Sequence, residues 1–179
     1  MKKKIEYNID LYEGDKDNKR FILGTKGEKP LFVIGVNPSY ADEKIPDLTI
    51  KKVIGFSERN GNDSFIMLNL YAQRSTNPNS MHNSINKELH ETNIKHILDI
   101  LKKHKEVKIL AAWGGTIKKR KYLLDCLKDI KECIKPFNVE WLEIENVRVT
   151  LGKKHPKHPS RGTYSKLIPF NIDEYLLNQ

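Results

Sequence analysis

Short continuous runs of apolar residues alternate along the chain with longer segments in which apolar residues recur every three or four positions. A short apolar run bounded by turn residues is typical of a strand buried on both faces. Recurrence every three or four positions predicts an amphipathic helix. The runs that predict buried strands are residues 31–36, 64–70 and 107–113. The segments that predict helices are residues 47–60, 83–105 and 118–135.

The two ends of the chain add further strands to this pattern. Residues 4–12 and 20–25 flank the polar stretch Glu13–Asn18 and predict an N-terminal hairpin. Residues 139–144 and 147–151 predict two more strands near the C-terminal end. Strands that alternate with helices favour a layered fold with a mostly parallel sheet. The pattern therefore predicts the α/β class.

The expected architecture is a three-layer α/β/α arrangement with a central, mostly parallel four-stranded sheet and the N-terminal β-hairpin. A chain of 179 residues has the size of one domain and can bury a core without disulfides. We assign residues 1–179 to a single domain, in which residues 1–29 are the hairpin extension and residues 30–170 the α/β core.

Composition narrows the class of protein. With 38% hydrophobic and 31% charged residues, the chain has neither a fibrous nor a disordered composition. No apolar stretch is long enough to cross a membrane, and Met1–Asp10 lacks a signal-peptide core, so we expect a cytoplasmic protein. Cys126 and Cys133 are too few for a disulfide scaffold, and we expect two reduced thiols.

The net charge of +9 points to an anionic partner. Two basic runs concentrate the excess, at residues 118–121 and at residues 153–161, and the second contains two histidines and no acid. Such a cluster suits a nucleic-acid backbone, which attracts cations without regard to sequence. The other reading of these runs is a generally lysine-rich composition. Charge alone leaves the two readings open.

Polar groups and glycines follow the predicted strands. Gly35–Tyr40 ends the first buried strand, Asn69–Tyr71 the second and Trp113–Gly115 the third, and His155–Ser160 follows the last. Because the carboxyl ends of parallel strands meet at one edge, we expect a ligand site there. Each group also has a structural explanation, such as a turn, a cap, a core tryptophan or solvated loop histidines.

Most of the chain resembles the uncharacterised family catalogued as domain of unknown function 1643. The resemblance runs from about residue 30 to residue 160 and brings no activity with it. The stretches that carry it are Gly35–Glu43, Asp47–Ile50, Asn69–Ala72, Ala112–Gly114 and His155–Pro159.

The same anchors resemble, more remotely, the uracil-DNA glycosylase superfamily. Gly35–Pro38 is similar to its first strand-end motif, Leu68-Asn69 to the strand that ends in a base-reading asparagine, and His158–Ser160 to its His-Pro-Ser loop. Ala112–Gly114, ahead of a basic segment, resembles its Leu-Trp-Gly motif. The sequence departs from the pattern at Arg161–Thr163, where a DNA-wedging continuation is usual.

The resemblance implies a glycosylase-like fold and cleavage of an N-glycosidic bond. Asn69 would pair with a pyrimidine edge, because an amide carries both a donor and an acceptor. His158 would donate to the base O2, where negative charge grows, and Asn37 would orient the attacking water. Tyr40 or Phe56 would stack on the base.

The remaining candidate residues would either let the backbone approach the base closely or bind phosphate groups. Gly35 would let the backbone come close to the base. The cations and hydroxyls around the strand ends would hold phosphates. The phosphate- or DNA-binding candidates are Ser39, Arg74, Lys154, His155, Lys157, Ser160 and Arg161.

Three acids follow the first strand-end turn and could supply the general base that Asn37 cannot. Asp47 is better explained as the N-cap of a helix that starts near Leu48. Asp42 and Glu43 remain open as candidate bases.

The sequence thus favours a DNA base-excision glycosylase-like hydrolase that acts on a uracil-like or modified pyrimidine. The expected partner is DNA, single-stranded or with a flipped base. The alternatives are a non-catalytic module that binds a base or nucleic acid on the same fold, and a hydrolase of free nucleotides or nucleosides. No cofactor and no metal is expected, although His155 and His158 could contribute two metal ligands.

Overall fold

A computed structural model of the chain describes residues 6–41, 44–145 and 155–179. Within this part, seven strands form one mixed sheet in the order β1-β2-β4-β3-β5-β6-β7. The strands are β1 (Leu11–Gly14), β2 (Arg20–Gly24), β3 (Pro30–Gly35), β4 (Ser64–Asn69), β5 (Lys108–Ala111), β6 (Glu140–Ile144) and β7 (Leu167–Pro169). The predicted α/β class is confirmed.

Pairing in the middle of the sheet is parallel and pairing at its edges is antiparallel. β3 pairs in parallel with β4 on one side and with β5 on the other, and β5 pairs in parallel with β6. β2 runs antiparallel to β4, and β7 runs antiparallel to β6. The predicted hairpin is therefore part of the main sheet. β7 escaped prediction because a three-residue strand that ends in proline carries no alternation signal.

The helices are α1 (Leu48–Arg59), α2 (Lys87–Leu101), α3 (Tyr122–Ile134) and α4 (Ile172–Leu177). Asp47 is the N-cap of α1, as predicted, and accepts a hydrogen bond from the backbone N–H of Ile50 at 2.8 Å. None of the described helices is both long and apolar enough to cross a membrane.

The single helix predicted over residues 118–135 is wrong at its start. Gly114 adopts φ +55, in the left-handed region, and opens a 3₁₀ turn over Gly114–Lys119. Arg120 is extended, and the α-helix begins only at Tyr122. The predicted strand over residues 147–151 lies outside the described residues.

Both faces of the sheet are buried. Successive residues of a strand point to opposite faces, so Leu31 and Val33 of β3 pack with Phe56 of α1, whereas Phe32 and Ile34 pack in the cluster that contains the apolar residues of α2 and α3. This arrangement explains why the central strands are continuous apolar runs. It also leaves their carboxyl ends as the edge where polar side chains can gather.

Candidate functional site

A cavity of about 190 Å³ lies at the carboxyl ends of the parallel strands. β3 lies between β4 and β5, so the chain crosses from one side of β3 to the other, and ligands in open α/β sheets bind at such a crossing. The polar residues that line the cavity include Arg20, Asn37, Ser39, Asp47, Thr49 and His158.

Two other depressions are larger but lie elsewhere. One, of about 750 Å³, is lined by residues at the amino ends of β3 and β5, among them Lys29 and Lys108. The other, of about 320 Å³, lies between the hairpin and α2 and includes Arg74. The strand-end cavity is the one in which the sequence motifs meet.

Asn37 follows β3 and is held by its amide nitrogen. Its Nδ2 donates to the backbone oxygen of Ser75 at 2.8 Å and to that of Pro38 at 3.2 Å. These bonds fix the orientation of the amide, so the group left for a ligand or a water is Oδ1. That geometry is compatible with the predicted water-orienting role.

Asn69 ends β4, and its side chain is 1% exposed. Neither its Nδ2 nor its Oδ1 has a hydrogen-bond partner among the described residues. Its backbone oxygen accepts a bond of 2.9 Å from Nδ2 of the buried Asn93 on α2, a contact that sequence reasoning missed. A Cβ on Gly35 would lie 3.3 Å from Asn69 Oδ1 and 2.8 Å from Met67 Cε. Asn69 does not itself line the cavity, but Gly35 and Met67, which lie beside its side chain, do.

His158 precedes a 3₁₀ turn over Pro159–Arg161 and is fixed through Nδ1. That nitrogen accepts from the backbone N–H of Ser160 at 3.3 Å and lies 2.7 Å from the Ser160 hydroxyl. A neutral imidazole has one acceptor and one donor nitrogen, so the proton resides on Nε2. Burial, and secondarily the charge of Arg161, lowers the pKa of His158. Gly114 makes room for it, since a Cβ there would lie 3.3 Å from His158 Cβ.

Asp47 brings a carboxylate into the cavity. Its Oδ1 caps α1, and its Oδ2 accepts from the Ser39 hydroxyl at 2.5 Å. The predicted phosphate-binding role of Ser39 is not supported, because its hydroxyl proton is committed to the Asp47 carboxylate. Asp42 and Glu43, the other candidate acids, lie outside the described residues.

Arg20 is the lining residue that sequence reasoning missed. It is 2% exposed, and its Nη1 donates to the backbone oxygen of Ala41 at 2.6 Å. Burial, and secondarily the nearby charge of Arg74, lowers the pKa of Arg20 to about 10. Arg20 begins β2, which pairs with β4 at the edge of the parallel strands. A single basic residue in a short apolar strand gives no sequence signal that its side chain lines a cavity at the ends of those neighbouring strands.

Two predicted base- or phosphate-binding residues are used elsewhere. The Phe56 ring is 0% exposed and packs in the core, so it offers no free face to a base. Arg74 is buried and donates to the Tyr12 hydroxyl at 2.9 Å and to the backbone oxygen of Asp15 at 3.1 Å, which holds the hairpin in place. Tyr40 is 60% exposed and does not line the cavity, although its ring lies 5.8 Å from the Arg74 guanidinium.

The other described residues predicted in the basic loop do not line the cavity, apart from His158. His155 Nδ1 lies 2.8 Å from the Tyr175 hydroxyl, away from the cavity lining. Lys157 is half-buried and Arg161 exposed, and Lys154 lies outside the described residues. Within the described part of the chain, no group of three His, Cys, Asp or Glu side chains could hold a metal ion.

The fold and cavity define an α/β protein with a small polar site at the carboxyl ends of its parallel strands. Residues 20–160 match the family described as protein of unknown function (DUF1643), and the chain belongs to that family. The first resemblance drawn from the sequence is thereby confirmed. No curated protein and no solved structure is significantly similar to the chain. The chemistry must therefore be argued from the cavity itself.

Proposed function

We propose that the cavity binds a uracil-like or modified pyrimidine base and that the protein hydrolyses its N-glycosidic bond, in the manner of the uracil-DNA glycosylase superfamily. The three-layer, four-stranded form of that fold is part of the proposal. The parallel pairing of β4, β3, β5 and β6 supports it, as does burial on both faces of the sheet.

The observation that carries the proposal is the Asn69 side chain. A buried polar group without a partner costs about 1–3 kcal/mol, and Asn69 has such a group at each end of its amide. A pyrimidine edge with N3–H beside a carbonyl oxygen would satisfy the donor and the acceptor together. Gly35 supports this reading, because any side chain at that position would fill the space in front of Oδ1.

The bond-breaking step uses the other two predicted residues. As the C–N bond breaks, its electron pair moves onto the base, and the Nε2–H of His158 donates to the base oxygen on which the charge develops. Water held by Asn37 Oδ1 adds to the sugar carbon. The proton that the water loses needs an acceptor, and Asp47 is the acid in the described lining of the cavity. A preorganised donor at a developing charge is worth roughly 3–4 kcal/mol.

One observation favours a second candidate, a hydrolase of free pyrimidine nucleotides or nucleosides. Arg74 and Ser39, both predicted to contact DNA phosphates, are engaged inside the protein. The described residues around the cavity thus offer fewer phosphate contacts than the sequence predicted, which weakens the electrostatic case for DNA.

The test is base release from defined substrates. Single- and double-stranded oligonucleotides that contain uracil or hydroxymethylated pyrimidines would be incubated with the protein and treated with alkali, which cleaves at abasic sites. Deoxyuridine and its 5′-monophosphate would be followed in parallel by chromatography. We expect release that is lost in Asn69→Ala and His158→Ala and kept in Asn62→Ala, a matched asparagine at the opposite edge of the sheet.

The outcomes separate the candidates. Release from the free compounds alone would establish the second candidate. Binding of pyrimidines without release, still dependent on Asn69, would identify a non-catalytic base-binding module. If the protein neither binds any of the pyrimidines nor releases a base from them, the proposal is refuted.

A further inference from the structure

Two arginines are buried near each other, and one of them, Arg20, lines the cavity. Arg20 is 2% exposed and Arg74 is 7% exposed, and burial, followed by the charge of Arg74, lowers the pKa of Arg20 to about 10. Burial of a single guanidinium is costly unless it is paired, and burial of two neighbouring ones is more so.

Neither arginine has an ion-pair partner in the described residues. No carboxylate of this part of the chain lies within 4.0 Å of either guanidinium, and the Nε of each has no hydrogen-bond partner there. Asp47 is near enough to favour the charged form of Arg20, but its carboxylate forms no ion pair with that guanidinium and accepts instead from the Ile50 N–H and the Ser39 hydroxyl. Among the residues that the structure describes, the positive charge is thus left without an ion-pair partner.

The two arginines differ in what they can still bind. Arg74 Nη1 is committed to the hairpin, through Tyr12 and Asp15. Arg20 has one bond, to the backbone oxygen of Ala41, and it lines the cavity together with Thr49 in the first turn of α1.

We propose that Arg20 binds a terminal phosphate monoester of the pyrimidine ligand, with Arg74 adding to the positive potential behind it. This inference rests on the proposed function for the base and adds the phosphate. Arg20 is 2% exposed and lines the cavity, so a phosphate that binds it there must enter the cavity. This suits a terminal phosphate better than one flanked by chain on both sides. A free nucleotide and a 5′-phosphorylated strand end both carry that chemistry.

The test is calorimetric titration of the full chain with deoxyuridine, deoxyuridine 5′-monophosphate and inorganic phosphate. A short oligonucleotide that begins with deoxyuridine, with and without a 5′-phosphate, separates the two sources. We expect the phosphate to tighten binding by roughly 10- to 100-fold, because hydrogen bonds between charged groups are the strong ones. Arg20→Gln should abolish this gain and Arg20→Lys should keep part of it. Arg59→Gln, an exposed arginine at the end of α1, should keep all of it.

The wild-type titrations show whether the phosphate contributes to binding even if Arg20→Gln does not fold. Equal affinity for deoxyuridine and its monophosphate would overturn the inference and leave the proposed function standing. Arg20-dependent binding of inorganic phosphate, with no binding of deoxyuridine, would refute the base site and keep the anion site. A phosphate gain that survives in folded Arg20→Gln would show that another group binds the phosphate, which also overturns the inference.

Discussion

Replacement of Gly35 by alanine would separate the ligand from Asn69 while leaving the fold largely intact. Gly35 is not among the described glycines with positive φ, so alanine fits its backbone conformation. The added Cβ would lie 2.8 Å from Met67 Cε, closer than the roughly 3.5–4.0 Å of carbon atoms in contact. The contact is with the free end of a flexible side chain, so we expect a cost of about 1 kcal/mol and a fall in Tm of roughly 2–4 °C.

The effect of the same substitution on binding should be much larger. The methyl group would stand between the cavity and Asn69 Oδ1, at 3.3 Å from that oxygen, and a ligand could then no longer pair with the amide. Leaving such a pair unmade corresponds to roughly 10- to 100-fold in affinity. Calorimetric titration with deoxyuridine measures the affinity, and thermal unfolding of the same sample measures Tm.

A second substitution distinguishes blocking of the site from repacking of the core. Met67→Leu removes the methyl group that the alanine would meet, at a cost typical of a volume-conserving exchange. In the double variant we expect Tm to recover and binding to remain weak, because the Gly35→Ala methyl still faces Asn69. Recovery of binding in the double variant would show that Met67, not the route to Asn69, controls affinity. Unchanged affinity in Gly35→Ala alone would refute the assignment of Gly35 and Asn69 to the base site.

Three further predictions follow from single side chains. Asp47→Ala should lower the free energy of unfolding by about 1 kcal/mol in chemical denaturation, since the N–H of Ile50 loses its cap; no loss would contradict that role. Burial lowers the pKa of His158, so the unfolded chain takes up its proton first and stability should fall as pH drops below about 6.5. That fall should be smaller in His158→Gln, and an identical pH profile would contradict the assignment. Burial raises the pKa of Cys126 to about 12, whereas Cys133 is exposed, so a thiol reagent should label Cys133 alone in the native protein and both after denaturation.

Local features of the sequence were sufficient for much of the fold. The strands β3, β4 and β5 were predictable because a strand buried on both faces must be apolar throughout. The cap at Asp47 was predictable because capping depends on residues three positions apart. The start of α3 was missed, because Gly114–Lys119 forms a 3₁₀ turn and Arg120 is extended, and Gly114 packs against His158, which is distant in the sequence.

The site divides in the same way. The sequence by itself determined that Asn37 follows one buried strand and that Asn69 ends another, and parallel pairing brings these strand ends together whatever their separation along the chain. Only the tertiary structure decided which polar groups are already satisfied. Arg74 meets Tyr12 across 62 residues, and Arg20 meets Ala41 across 21. Such long-range contacts decide which hydrogen-bond donors and acceptors of a side chain stay available for a ligand, and no local sequence pattern predicts them.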